Sequence, residues 1–241
     1  MAGCSSPEAP VPANAARFVP FEGAHQTGIA ALPIPEQGLV AAFTVQSKDR
    51  AALAATLAAL TDEIRGLMAG KPPQVREPAY PPVDSGILGE KPPPDNLSVV
   101  VGVGESLFDD RFGLADRKPK ELVTMPFLAN DRLDPKLSHG DLSIILEADH
   151  NDTVQFALRQ LMRRTRSDLV LRWMIDGYAR GIGAGEASDA QTPRNLLGFK
   201  DGTANLKADD DLPLTGGALD AVGGSSHGSS FSGAMTRSAG K

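Results

Sequence analysis

GDLSIILEADHNDTVQFALRQLMRRTRSDLVLRWMIDGYAR, residues 140–180, decides the fold, because its periodicity changes twice. GDLSIILEAD reads as a strand. Asn151 or Asp152 can cap a following helix, in which Val154, Ala157, Leu158 and Leu161 recur at the three-and-four spacing of one helical face. That helix ends near Ser167. In the strand after it, Leu169, Leu171, Trp173 and Ile175 alternate, which predicts that they share one face. The four arginines of RQLMRRTR, 159–166, fall in the helical pattern and read as a solvated helix face.

Upstream the pattern recurs. LVAAFTV, 39–45, reads as a strand, and Leu53, Leu57, Leu60, Ile64 and Leu67 stripe a helix. Asp49 or Ser47 can cap that helix, and Gly70-Lys71-Pro72-Pro73 stops it. LSVVVGVG, 97–104, is apolar on both faces, which predicts a central strand. ESLFDDRFGL, 105–114, reads as a short helix, and 121–138 as mostly irregular.

The order is therefore β-α-β-β-α-β: an α+β, ferredoxin-like antiparallel sheet with both helices on one face. An open parallel sheet is disfavoured, because no regular crossover helix separates the second and third strands. The expected domain runs from 21 to 190. Its insertion at 70–96 holds eight prolines, a density that excludes helix interiors and central strands.

Thirty acidic against 24 basic residues give a net charge of −6, so composition offers no reason to expect nucleic acid as a partner. Nor does any apolar run reach the length of a membrane span. One cysteine, Cys4, excludes an intrachain disulfide. It lies in a leader, 1–20, whose Ala2-Gly3-Cys4 resembles the end of a lipoprotein signal without its charged and apolar regions. At the other end, residues 216–241 hold seven glycines and six serines, which predicts a disordered tail over 208–241.

Between domain and tail stands NLLGFKDGTAN, 195–205. Asp201-Gly202 can be an ordinary tight turn. It can also be backbone brought close to a flat ligand, where a residue without Cβ avoids a clash. The flanks bear on this choice. FEGAHQTGI (21–29), DSGILGE (84–90), PDNLSVVVGVGESLFDDRFGL (94–114), SHGDLSIILEAD (138–149) and TPRNLLGFKDGTAN (192–205), taken in this order, resemble the dye-decolorizing peroxidases, in particular their exported deferrochelatase/peroxidase branch.

That resemblance implies haem b as cofactor, hydrogen peroxide as substrate and release of iron from haem as a second reaction. It further implies two ferredoxin-like domains per chain, a homodimer, a periplasmic location and iron-uptake components as partners. In the haem-site segment, 191–207, it maps Asp201 onto the distal acid–base group. It maps Gly202, Thr203 and Ala204 onto backbone beside the macrocycle. The family's proximal ligand is a histidine far downstream of this turn, and a distal arginine lies further on. Here His25, His139 and His150 precede the turn, and His227 stands in the Gly/Ser-rich stretch. The alternative expectation is therefore an inactive truncated fragment or a non-catalytic module lacking the proximal ligand, ended by truncation or a changed reading frame.

Overall fold

The computed structural model describes residues 18–22, 35–72, 77, 79, 85–124, 128–178 and 197. Within them run β1 (Gln37–Val45), α1 (Arg50–Met68), β2 (Ser98–Val103), β3 (Leu142–Ala148), α2 (Asn151–Arg164) and β4 (Leu169–Tyr178). The sheet order is β2-β3-β1-β4, and each neighbouring pair is antiparallel. This is the α+β arrangement of a ferredoxin-like domain.

Alternation along β1 and β3 builds the core. Leu39, Ala41 and Phe43 pair with Leu146, Ile144 and Leu142 of β3, Val45 pairs with Leu169 of β4, and all of these are buried on one face together with Ala148. Against that face pack Leu53, Leu60, Ile64 and Leu67 of α1 and Val154, Ala157, Leu158 and Leu161 of α2. Burying each of the larger side chains stabilises the fold by roughly 1.5–3 kcal/mol before entropy is charged against it.

The two helices begin by different means. Asp49 caps α1, its Oδ1 accepting the amide N–H of Ala52 at 2.8 Å. Ser47 instead donates to Asp168 Oδ1 at the start of β4. Helix α1 closes with Gly70 at φ 65°: the Gly70 N–H reaches Leu67 O, and the Lys71 N–H reaches Gly66 O. In α2 neither Asn151 nor Asp152 is the cap. The cap position is His150, whose side chain makes no capping bond. The carboxylate of Asp95, 55 residues upstream, accepts the His150 backbone N–H at 3.1 Å, and Asp152 Oδ1 accepts the Thr153 N–H at 2.9 Å.

Three further expectations change. Strand β2 is an edge, not the centre, and its apolar pattern records cover on both faces: Val99 and Val100 are 0 and 2% exposed. In β4 the register shifts between Ala42 and Phe43, leaving Arg172 as a bulged residue. Leu169 and Leu171 therefore face the core opposite Val45 and Phe43. Trp173 and Ile175 face the other side, opposite Ala42 and Val40. Finally, residues 105–114 form two 3-10 turns, Glu105–Leu107 and Asp110–Phe112, in place of a helix.

Candidate functional site

Buried charge in this domain converges where β1 ends and β3 begins. Asp141 is 5% exposed and accepts four hydrogen bonds: from Val45 N (2.8 Å), Ser106 Oγ (2.6 Å), and Arg111 Nη1 (3.2 Å) and Nη2 (3.0 Å). Burial alone would raise its pKa. The bonds from Arg111, Ser106 and Val45 outweigh burial and hold it below the ordinary carboxylate range. Arg111 is equally committed, donating to Asp109 Oδ2, Val45 O and Ser106 O. Beside this cluster Gly104 passes so close to Gly140 that a Cβ would lie 1.9 Å from the Gly140 carbonyl oxygen. Only glycine fits there.

A second polar knot lies at the start of α2. Asp95 and Asn96 both take positive φ, 50° and 56°, just after the proline run. The Asp95 carboxylate meets His150 Nδ1 at 2.7 Å, and Asn96 Nδ2 donates to Asp149 Oδ1. The hydrogen bond to Asp95 raises the His150 pKa. This also offsets the penalty of a cation at a helix N-terminus.

On the sheet face away from the helices, Val40, Ile145, Glu147 and Ile175 line an open groove of about 360 Å³. Burial raises the Glu147 carboxyl pKa, against a hydrogen bond from Ser98. Gln37, Asp176 and Tyr178 also line the groove.

The residues assigned from the sequence, Asp201, Gly202, Thr203 and Ala204, lie outside the described residues, as do Cys4, His25, His227 and the tail. His139 and His150 are both exposed. The His139 carbonyl accepts Trp173 Nε1 at 2.7 Å, and the His150 ring, 73% exposed, rests on Asp95. Neither histidine lines the groove on the open sheet face. Among the described residues no group of three or more His, Cys, Asp or Glu is placed to hold a metal, and no helix is long and apolar enough to cross a membrane.

Sequence reasoning missed Asp141, Arg111 and Asp95. Gly140-Asp141 directly before a strand was the available signal for the first. Nothing local marked the other two.

Comparison with known proteins is consistent with this geometry. The family model "Dyp-type peroxidase, N-terminal" matches residues 26–179. The chain belongs to the Dyp-type peroxidase family. Among Dyp-type relatives, the deferrochelatase of Escherichia coli strain K12 is 43% identical over 195 residues, covering 80% of this chain and 45% of the relative. A Shigella flexneri deferrochelatase gives the same identity and coverage. Ferric DtpA from Streptomyces lividans superposes with a TM-score of 0.71 at 32% identity, over 83% of this chain and 51% of its own. A Dyp-type peroxidase from Streptomyces coelicolor gives 0.70 at 33% identity, over 81% and 50%. The chain thus spans about half the length of its Dyp-type relatives.

Proposed function

We propose that residues 37–178 act as the non-catalytic N-terminal scaffold of a haem-handling protein, ordering a haem-site segment that follows without holding haem itself. The supporting observation is how the buried charge is used. The Asp141 carboxylate, the most enclosed acid of the domain, spends its oxygens on Val45, Ser106 and Arg111, which leaves no lone pair directed at a substrate. A group so occupied holds strands together.

The second reading, an active haem peroxidase with release of iron from haem, is favoured by the 43% identity to deferrochelatases. In that reading Asp201 is the distal acid–base group, and Gly202, Thr203 and Ala204 line haem b. Hydrogen peroxide is the oxidant, and a second ferredoxin-like domain completes the site. A homodimer, a periplasmic location and iron-uptake partners belong to the same reading. Both readings place a leader at 1–20, the haem-site segment at 191–207 and a tail at 208–241.

Haem titration of the full chain separates the two. The scaffold reading expects absorbance and peroxide turnover no different from free haem. A Soret band of histidine-ligated ferric haem, with turnover lost in Asp201→Asn, would overturn it and establish the peroxidase.

A further inference from the structure

We propose that the groove on the sheet face away from the helices binds a small unbranched alkylammonium, with Glu147 receiving its head. Strand register lays the site out. Gly177 of β4, Gly38 of β1, Glu147 of β3 and Ser98 of β2 stand side by side in one row across the sheet. Ile175, Val40, Ile145 and Val100 form the next row on the same face. The first row thus begins with two residues that have no side chain. A Cβ on Gly177 would meet nothing within 4 Å, and one on Gly38 would come no closer than 3.8 Å to Glu147 Cγ. The result is a trough of about 360 Å³, floored by backbone, walled by Ile175, Val40 and Ile145, and ended by a carboxyl. From Gly177 to Glu147 it crosses two strand spacings, roughly 10 Å.

Charge decides the head group. Glu147 accepts a hydrogen bond from Ser98, which lies on the side away from the glycines, and it makes no ion pair among the described residues. A carboxylate accepts several hydrogen bonds, so capacity remains for a donor lying in the trough. No Lys, Arg or His lines the trough, whereas Asp176 adds a second acid. Such a lining repels carboxylates and attracts a cation. Burial raises the Glu147 pKa, and an ammonium would return to the charged form the stabilisation that burial removes. A second copy of this chain is a poor occupant, because a two-fold pairing of this face brings two acid-lined troughs together. The walls and the volume set the body. Aliphatic side chains and a space at the small end of ligand sites fit a slim chain of about six carbons. Its far end leaves over Gly177, on the edge strand. The site uses no residue of the candidate haem segment, so it stands whichever reading of the function holds.

The test is an NMR titration of the full ¹⁵N-labelled chain with hexylammonium at neutral pH, beside hexanol and hexanoate. Hexylammonium is expected to shift the backbone amides of 37–40, 145–147 and 175–178 saturably. Hexanol should bind about tenfold more weakly, and hexanoate should leave the amides in place. Glu147→Gln keeps the size of the side chain and removes its charge. It should weaken hexylammonium about tenfold and leave hexanol where it was. Gly177→Leu directs a side chain into the open space above the floor, so it should abolish binding while the melting temperature holds. Should that variant melt early, Glu147→Gln alone decides. Absence of saturable shifts, equal binding of hexanol, or unchanged affinity in Glu147→Gln would overturn the proposal. Tighter binding of N-acetyl-lysine amide would overturn it in favour of a lysine side chain from a partner, and a dimer that excludes hexylammonium in favour of a second copy.

Discussion

The two edges of this sheet are built in opposite ways. Strand β2 is six residues long, buried, and fastened at both ends by polar side chains: Asp95 and Asn96 before it, Ser106 and Arg111 after it. Strand β4 is ten residues long and mostly exposed, with its register broken at Arg172. An exposed edge invites pairing with another chain, and a bulge is one of the features that discourage it. Burial protects the first edge; irregularity protects the second. The contrast teaches that an apolar strand sequence reports how well a strand is covered, and says nothing of its place in the order.

Asp141→Ala should disturb the fastened edge most. It strands Val45 N–H and Ser106 Oγ and removes one of the two carboxylates that pair with Arg111, which keeps Asp109 and at 40% exposure recovers part of the loss from solvent. Thermal or urea unfolding should register a loss of about 2–4 kcal/mol. The same carboxylate gives this edge an acid limit. Its folded-state pKa is depressed, so its contribution is complete above the unfolded value near 4 and lost as pH falls through the folded one. Wild-type stability should therefore drop below about pH 4, and the drop should flatten in Asp141→Asn.

Gly104→Ala comes next. The added Cβ must displace the Gly140 backbone, so a cost of about 1–3 kcal/mol is expected in the same assay. A neutral result would mean that the turn between β2 and Glu105 yields easily.

The Asp95–His150 contact is weaker. The imidazole is well exposed, so solvent screening holds its contribution to about 0.5–1 kcal/mol. Here the folded pKa is raised, so the contribution is complete below about pH 6.5 and disappears as pH rises through the folded value. The stability gap between wild type and His150→Ala should narrow from pH 6 to pH 9.

On the free edge, Ile175→Thr should change stability by no more than about 0.5 kcal/mol, because the side chain is 63% exposed. A larger loss would place something over that face of β4.

What the sequence revealed follows from how local each signal is. The alternation of Leu39–Val45 and the stripe from Leu53 to Leu67 declared their elements, because the face that is buried repeats along one strand or one helix. Asp49 was legible as a cap since donor and acceptor are three residues apart. The Asp95–His150 contact was not legible, since its partners lie 55 residues apart. Bulging at Arg172 escaped notice for a related reason. It is a property of the pairing with β1, and β4 alone reads as a regular strand. The candidate haem segment was legible only as a motif, and Asp201 to Ala204 still rest on that resemblance.

The position of β1 has a consequence for how the protein is made. Among the described strands it is the first to be synthesised, yet it lies inside the sheet, and its two partners, β3 and β4, are the last of the four. Leu39 pairs with Leu146, more than a hundred residues later, and then with Asp176. At ordinary translation speeds the wait for the second partner is roughly 7–27 s. Throughout it, the apolar face of Leu39, Ala41 and Phe43 has only the first helix to rest against. A nascent chain of this kind is a natural client for ribosome-associated holding factors, and the interval closes only when the last strand has emerged.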